Sequence, residues 1–358
     1  MTRRLTVLSV AYPFAPVGPG AVGGAEQVLS MIDEALVEAG HRSVVVACDG
    51  STCAGELVAI PAARGPLDDD AVRATHAALK RAIEQAAAEV HAEVIHAHGV
   101  DFGAYLPDND LPLLATLHLP LSHYPRHALL PARPRTWLNG VSASQMVGGP
   151  RGMPRVADVP NGVRLDRFEP TAAPGRRYAI AVGRICPEKG FDVAIDAARL
   201  AGVPILVAGR TFPYPAHEAY FAERVAPRLG RGCRFLGGVG PRRMRELLAR
   251  ARCLVVASRV AETSSLASME ALACGTPVVA FRVGALPDIV DHGRTGLVVD
   301  DGVAPLAGAI RDVAAIERRA CRAAAEDRFD SRQMTRRYLE LYERLASLDA
   351  GEPMSCSA

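Results

Sequence analysis

Two glutamates with seven residues between them, Glu262 and Glu270, lie in the segment Ala261-Glu262-Thr263-Ser264-Ser265-Leu266-Ala267-Ser268-Met269-Glu270. An apolar run precedes the first, so Glu262 falls in the loop after a strand. Glu270 falls roughly a turn and a half into the helix that follows. Thr263, Ser264 and Ser265 are residue types that cap helices, and the first N–H groups of a helix have no partner within it. The N–H groups of Ser265 and Leu266 are therefore available to an anion, with a carboxylate on either side for hydroxyls. A sugar diphosphate fits that pattern: phosphate on the helix N-terminus, one carboxylate on the sugar and the other on ribose. The plainer alternative makes Glu262 a surface acid and Glu270 an ordinary helix residue. Met269, Ala271 and Leu272 around Glu270 imply burial, however, and a buried carboxylate requires partners.

Two further groups have types suited to phosphate. Arg184 and Lys189 follow a buried strand in Val182-Gly183-Arg184-Ile185-Cys186-Pro187-Glu188-Lys189-Gly190. Two cations at a strand's carboxyl end can neutralise a diphosphate leaving group without a metal; read alone, they are equally two solvated loop cations. Near the N-terminus, Gly18-Pro-Gly-Ala-Val-Gly23-Gly24-Ala25-Glu26 opens a helix directly after the first strand. Such a turn brings N–H groups toward an anion or a sugar, or serves only as a loop needing positive φ. Its spacing is not that of a dinucleotide fingerprint. His96, His98 and His118 end apolar runs, where a histidine either serves a substrate or simply hydrogen-bonds its own loop. His96 and His98 have no third partner at metal-ligand spacing, so no metal is expected.

These residues need elements to hold them, and the pattern supplies two series of alternating short apolar runs and helices. Strands are expected at Leu5–Ala11, Ser43–Cys48, Val94–Ala97, Leu113–Thr116 and Leu138–Val141, with helices at Glu26–Ala39 and Asp68–Val90. A second series runs through Tyr178–Val182, Phe191–Leu200, Ile205–Ala208, Arg234–Leu236, Met244–Ala251, Cys253–Ala257, Leu266–Ala273, Pro277–Phe281 and Gly296–Val299. The expected fold is α/β, two doubly wound Rossmann-like units: an N-terminal domain over 1–165, a linker at 166–177, and a C-terminal domain over 178–330 that carries the groups suited to a nucleotide sugar. A C-terminal helix at 331–348 is free to pack back on the first domain, and 349–358 is expected to fray.

Composition narrows the function classes. Forty-one basic and 39 acidic residues nearly cancel, leaving no electrostatic footprint for nucleic acid. Arg126, Arg133, Arg135, Arg151 and Arg155 nonetheless fall in a stretch from Leu111 to Ala157 that has no acid, either a solvated face or one for an anionic acceptor or a membrane surface. Eight cysteines without paired spacing read as buried thiols of a reducing cytoplasm, where the protein is expected to reside. No stretch approaches the ~18 apolar residues of a membrane helix.

The ordered set of motifs resembles the retaining glycosyltransferases of family 4, whose two Rossmann domains face each other in the arrangement called GT-B. The matching segments are Gly23-Gly24-Ala25-Glu26, Gly40-His41, Glu93-Val94-Ile95-His96-Ala97-His98 and Ala115-Thr116-Leu117-His118. They continue through Val141-Ser142-Ala143-Ser144, Asn161-Gly162-Val163, Gly183-Arg184 with Lys189-Gly190, Phe235-Leu236-Gly237, the paired glutamates and Gly275-Thr276-Pro277. The resemblance implies that Arg184 and Lys189 hold the donor diphosphate, Glu270 the ribose and Glu262 the transferred sugar. His118 would sit beside the reacting sugar and serve catalysis with Glu262, His98 and the first domain would lie on the acceptor side, and backbone near Gly23, Gly24, Ser265 and Leu266 would close on phosphates and sugar. It implies transfer from a nucleotide sugar with retention, giving an α-glycoside, with no metal or other cofactor. The chain departs from the family where Ser265 replaces a glycine, placing a side chain where backbone meets the donor, and where Gly284-Ala285-Leu286-Pro287-Asp288 replaces Gly-Gly-x-Pro-Glu. The segment Thr211–Leu229, with Tyr214, His217 and Tyr220, either shapes the base pocket or packs on the surface. A nucleotide-sugar epimerase or isomerase, and a non-catalytic sugar-nucleotide or glycan-binding protein, are the competing functions.

Overall fold

The computed structural model describes residues 3–21, 23–63, 65, 67–171 and 177–348. The chain divides into two compact units, residues 1–161 with 332–358, and residues 162–331. The expected tail at 349–358 and the middle of the 166–177 segment lie outside the described residues.

The first unit holds a parallel sheet of β1 (Thr6–Val10), β2 (Arg42–Cys48), β3 (Glu56–Ile60), β4 (Val94–Ala97), β5 (Leu113–Leu117) and β6 (Thr136–Gly140), in the order 3-2-1-4-5-6. Its helices include α1 (Gly24–Glu38), α2 (Asp69–Glu89) and the short α3 (Arg126–Leu129). Val44, Val45 and Val46 are all fully buried, because a doubly wound sheet is covered on both faces and its strands become continuous apolar runs. Each such side chain contributes about 1.5–3 kcal/mol by leaving water. On α1, Val28, Ile32 and Leu36 recur every four residues and form its buried face. The helix stops at Gly40, whose φ of +81° suits glycine, and His41 Nδ1 then accepts from the Leu5 N–H at 3.1 Å. The Gly40-His41 pair is thus a joint between α1 and β1.

The second unit repeats the plan. Strands β7 (Ala179–Val182), β8 (Ile205–Ala208), β9 (Cys233–Phe235), β10 (Cys253–Val256), β11 (Val278–Phe281) and β12 (Gly296–Val299) lie in the order 12-11-10-7-8-9, the same topology as the first sheet. Around them run α4 (Phe191–Leu200), α5 (Pro215–Tyr220), α6 (Pro241–Arg250), α7 (Leu266–Ala273), α8 (Leu286–Ile289), α9 (Val303–Asp312) and α10 (Arg318–Arg328). The last helix, α11 (Ser331–Ala346), belongs to the first unit almost throughout; its Met334, Tyr338, Leu341, Tyr342 and Leu345 are buried with Leu5, Val7, Val28 and Val94. The two places where the chain passes between units are paired: Val163 N–H donates to the Phe329 carbonyl at 2.8 Å and Ser331 N–H to the Val163 carbonyl at 3.0 Å.

Candidate functional site

In a doubly wound sheet, ligands bind at the carboxyl edge where the strand order reverses. In the second unit that point lies between β7 and β10, so the loops after these two strands must carry the chemistry. They hold Arg184 and Lys189 on one side and Glu262 on the other. The structure brings two of these together: Lys189 Nζ donates to Glu262 Oε1 at 2.5 Å, and the Ser258 hydroxyl donates to the same oxygen at 2.5 Å. One N–H of the ammonium is used there and two remain. Glu262 Oε2 has no partner among the described residues.

Backbone contacts fix this pair. Gly190 has φ +60°, and a Cβ there would lie 2.2 Å from the Ala257 carbonyl oxygen, so only glycine lets the Lys189 turn close on the end of β10. Arg259 N–H then donates to the Glu188 carbonyl at 2.8 Å. On the far side, Ala285 N–H donates to the Glu262 carbonyl at 2.8 Å, and a Cβ on Gly284, at φ +52°, would lie 2.3 Å from that oxygen. The segment that departs from the family pattern therefore still seats Glu262. Arg184 is exposed, with no ion pair among the described residues.

Helix α7 begins where the sequence places it. Ser265 is its N-cap, and its hydroxyl turns back into the helix, 2.8 Å from Ser268 Oγ. The side chain that replaces a glycine is thus folded away and mostly buried; it caps the Ser268 N–H and leaves those of Leu266 and Ala267 unobstructed by it. Ser264 Oγ, one residue earlier, is enclosed with no hydrogen-bond partner among the described residues. Glu270 has no side-chain hydrogen bond or ion pair among the described residues, and burial pushes its carboxyl up to about 8. An unpaired carboxylate in such surroundings suits a ligand that brings hydroxyl donors.

In the first unit the reversal lies between β1 and β4. The glycine loop follows β1, and its glycines do not act through positive φ. Gly23 has φ −81°, and a Cβ there would lie 1.8 Å from Glu26 Oε2, so its role is to admit the Glu26 carboxylate beside the loop. Burial raises the Glu26 carboxyl above its usual range. Gly24 is the first residue of α1. His98 follows β4 and lies beside His118 at the end of β5; His98 Nδ1 and His118 Nε2 share a hydrogen bond of 3.1 Å, and the rings stack at 5.3 Å. His98 Nε2 is enclosed without a hydrogen-bond partner among the described residues. Burial holds His98 well below the usual imidazole range and lowers His118 to about 4, so both are neutral at pH 7.

His96 lies on the opposite side of this pair from the edge and is structural. It bonds to the Tyr342 hydroxyl at 2.6 Å and to Thr116 Oγ1 at 2.7 Å, and Thr116 in turn donates to Asn139 Oδ1 at 2.7 Å. The basic stretch is largely used by the fold. Arg133 donates to the carbonyls of Pro107, Asn109 and Leu111, Arg135 to that of Leu348, and Arg155 pairs with Asp158, while Arg126 and Arg151 stay exposed. In the 211–229 segment, Tyr220 is buried and donates to Asp192 Oδ1 at 2.7 Å, whereas Tyr214 is exposed. Sequence reasoning missed Ser258, which sits in an apolar strand end with no motif around it. It also missed a juxtaposition of Cys186, Glu188 and His217, which no spacing along the chain announces.

Each unit matches a known family domain. Residues 22–146 match the Glycosyltransferase Family 4 domain, and residues 176–315 match that of glycosyl transferases group 1. The D-inositol 3-phosphate glycosyltransferase of Mycolicibacterium smegmatis is 37% identical over 162 residues, 41% of this chain and 36% of that protein. The chain thus spans about a third of the length of the curated relatives it matches. Among solved structures, Anabaena Alr3699/HepE in complex with UDP-glucose aligns with a TM-score of 0.75 at 21% identity, over 96% of this chain and 100% of that one. AviGT4, a glycosyltransferase involved in avilamycin A biosynthesis, aligns with a TM-score of 0.70 at 22% identity, over 96% and 99%. Two six-stranded parallel sheets of one topology, each with flanking helices, are the GT-B fold that these structures share. With a family domain in each unit and in the same order as the motifs, the chain belongs to glycosyltransferase family 4.

Proposed function

We propose that the protein transfers a sugar from a nucleoside-diphosphate sugar to an acceptor hydroxyl with retention of configuration, giving an α-glycoside. The observation that carries this reading is the Lys189–Glu262–Ser258 array at the strand-order reversal of the second sheet, on the loop that leads into α7 with its partnerless Glu270. Lys189 keeps two N–H groups for the donor's phosphates, Arg184 adds an unpaired cation, and Glu262 Oε2 accepts from a sugar hydroxyl. Glu270 accepts from the ribose hydroxyls. As the bond from the anomeric carbon to the diphosphate breaks, the two cations stabilise the departing charge. The leaving phosphate takes the acceptor's proton on the same face, and the acceptor oxygen bonds to the anomeric carbon. Neutral His118 acts at the reacting sugar by hydrogen bonding. No divalent ion is needed for the diphosphate, and the setting is the cytoplasm.

The donor complex of Anabaena Alr3699/HepE makes UDP-sugars the first donors to try, and the name of the mycobacterial relative makes an inositol phosphate the first acceptor. A thermal-shift screen against UDP, GDP, ADP and dTDP and their sugar conjugates tests the site, because a ligand that binds only the folded state raises Tm. The expected result is a selective rise for one base. Transfer is then followed by nucleoside-diphosphate release, which should require acceptor and persist without added Mg2+ or Mn2+. Turnover of the donor alone to an isomeric sugar would instead identify an epimerase. Donor binding with no turnover in the presence of any acceptor would leave a binding protein.

A further inference from the structure

The second unit gathers three metal-binding side chains that the transfer reaction does not use. Cys186 immediately precedes the turn Pro187–Lys189, Glu188 lies within that turn, and His217 comes from α5. The thiol sulfur, a carboxylate oxygen and an imidazole nitrogen all lie within 4.8 Å of one another. The sulfur is buried, the carboxylate faces solvent and the imidazole is half-buried. His217 Nδ1 is enclosed and has no hydrogen-bond partner among the described residues, an arrangement that costs free energy unless something fills it.

The geometry is near that of a small tetrahedral ion. Zinc bonds of about 2.3 Å to sulfur and about 2.0–2.1 Å to nitrogen or oxygen place such ligands about 3.3–3.6 Å apart at a tetrahedral angle, so the three groups need to close by at most about 1.5 Å. A mixed sulfur, nitrogen and oxygen set selects a borderline-soft divalent ion over Mg2+ or Ca2+, which take oxygen. The solvent-facing side leaves room for water.

We propose that Cys186, Glu188 and His217 bind one zinc-like divalent cation, with water as the fourth ligand, and that the ion clamps the 211–229 segment to the Arg184–Lys189 turn. The coupling to that turn is direct: Lys189 N–H donates to the Cys186 carbonyl at 3.2 Å. On binding, sulfur bonds to the metal as thiolate and its proton passes to solvent, so uptake strengthens as pH rises. The role is structural, since the cations that handle the diphosphate are protein side chains.

The test uses the full chain, stripped with chelator under reducing conditions and titrated with Zn2+ against a chromophoric competitor. A parallel sample receives Co2+, whose thiolate complex shows a charge-transfer band. Expected are one zinc per chain, the cobalt band, and a rise in Tm on adding zinc. Cys186→Ala should lose the band, and His217→Gln, on a half-buried surface helix, should lose stoichiometric zinc and the Tm rise while keeping the wild-type far-UV CD spectrum. No tight zinc binding by the unaltered chain would overturn the proposal. So would zinc and band that survive in both variants, since other thiols and imidazoles would then be the ligands. None of these readouts depends on glycosyl transfer, so their failure and the failure of the transferase reading are separate results.

Discussion

Glu270 sits in α7 beside Met269, Ala271 and Leu272 without a partner, and its raised pKa follows from the water it has lost. The folded state therefore prefers the protonated form, and the group's contribution to stability falls as pH rises from about 4.5 through about 8. Ribose hydroxyls donating to the carboxylate favour its charged form and lower the pKa again. Nucleotide binding at pH 7 should then release protons, seen as a buffer-dependent binding enthalpy in calorimetry. Glu270→Gln should abolish that release, and Glu270→Ala should weaken binding by about 1.5–3 kcal/mol, roughly ten- to a hundredfold. Wild-type affinity and proton release in both variants would remove Glu270 from the site. His118 behaves differently, because a neutral imidazole recognises by hydrogen bonding and not by charge. His118→Ala should lower kcat by at least about tenfold and leave the Kd for nucleotide near its original value; a large loss in nucleotide affinity would contradict the assignment.

At the scale of elements, the loops after β7, β10 and β11 behave as one unit, because Gly190 lets the first and Gly284 the third bring backbone against the middle one. Gly284→Ala forces a Cβ against the Glu262 peptide at a positive φ, and should both destabilise the fold by about 1–3 kcal/mol and weaken donor binding. Denaturant unfolding and nucleotide titration read the two effects separately. Much of this was legible beforehand. The paired glutamates, Arg184 with Lys189, and the α7 cap are local patterns, and both sheets followed from apolar runs. The strand β3 was not: its apolar run, Leu57-Val58-Ala59-Ile60, is short and stops at Pro61, and as an edge strand it is exposed over most of its length. It is set instead by tertiary contacts: Asp33 accepts from the N–H groups of Ala54 and Gly55, and Gly55 packs against the Ser43 carbonyl. The ion pair of Lys189 with Glu262 and the seating of Gly23 on Glu26 are also long-range or side-chain facts that residue types alone do not specify. Nor does the departure at Ser265 announce that its hydroxyl will fold back onto Ser268.

For the whole molecule, three histidines on adjacent strands of the first unit are held neutral by burial. The unfolded chain protonates them below about pH 6.5 while the folded chain resists, so stability is lost as pH falls from there toward pH 4 and below. The histidines take up protons on unfolding while Glu270 gives one up above about pH 4.5, so Tm should decline on acidification with a net uptake of about two protons per molecule, measurable as the pH slope of the unfolding free energy. His98→Gln should make that slope shallower; an unchanged slope would place the acid sensitivity elsewhere. The same histidines depend on α11, since Tyr342 and Tyr338 complete the hydrogen bonds around His96, Thr116 and Asn139. During synthesis the strands β1 to β6 leave the ribosome before the second unit, yet the helix that closes their histidine network follows that unit. The second unit can finish folding while the first still waits, so the earliest half of the chain to appear is the later one to mature. Arrested chains ending before residue 331 should therefore carry a protease-resistant second unit beside a first unit that is still cleaved.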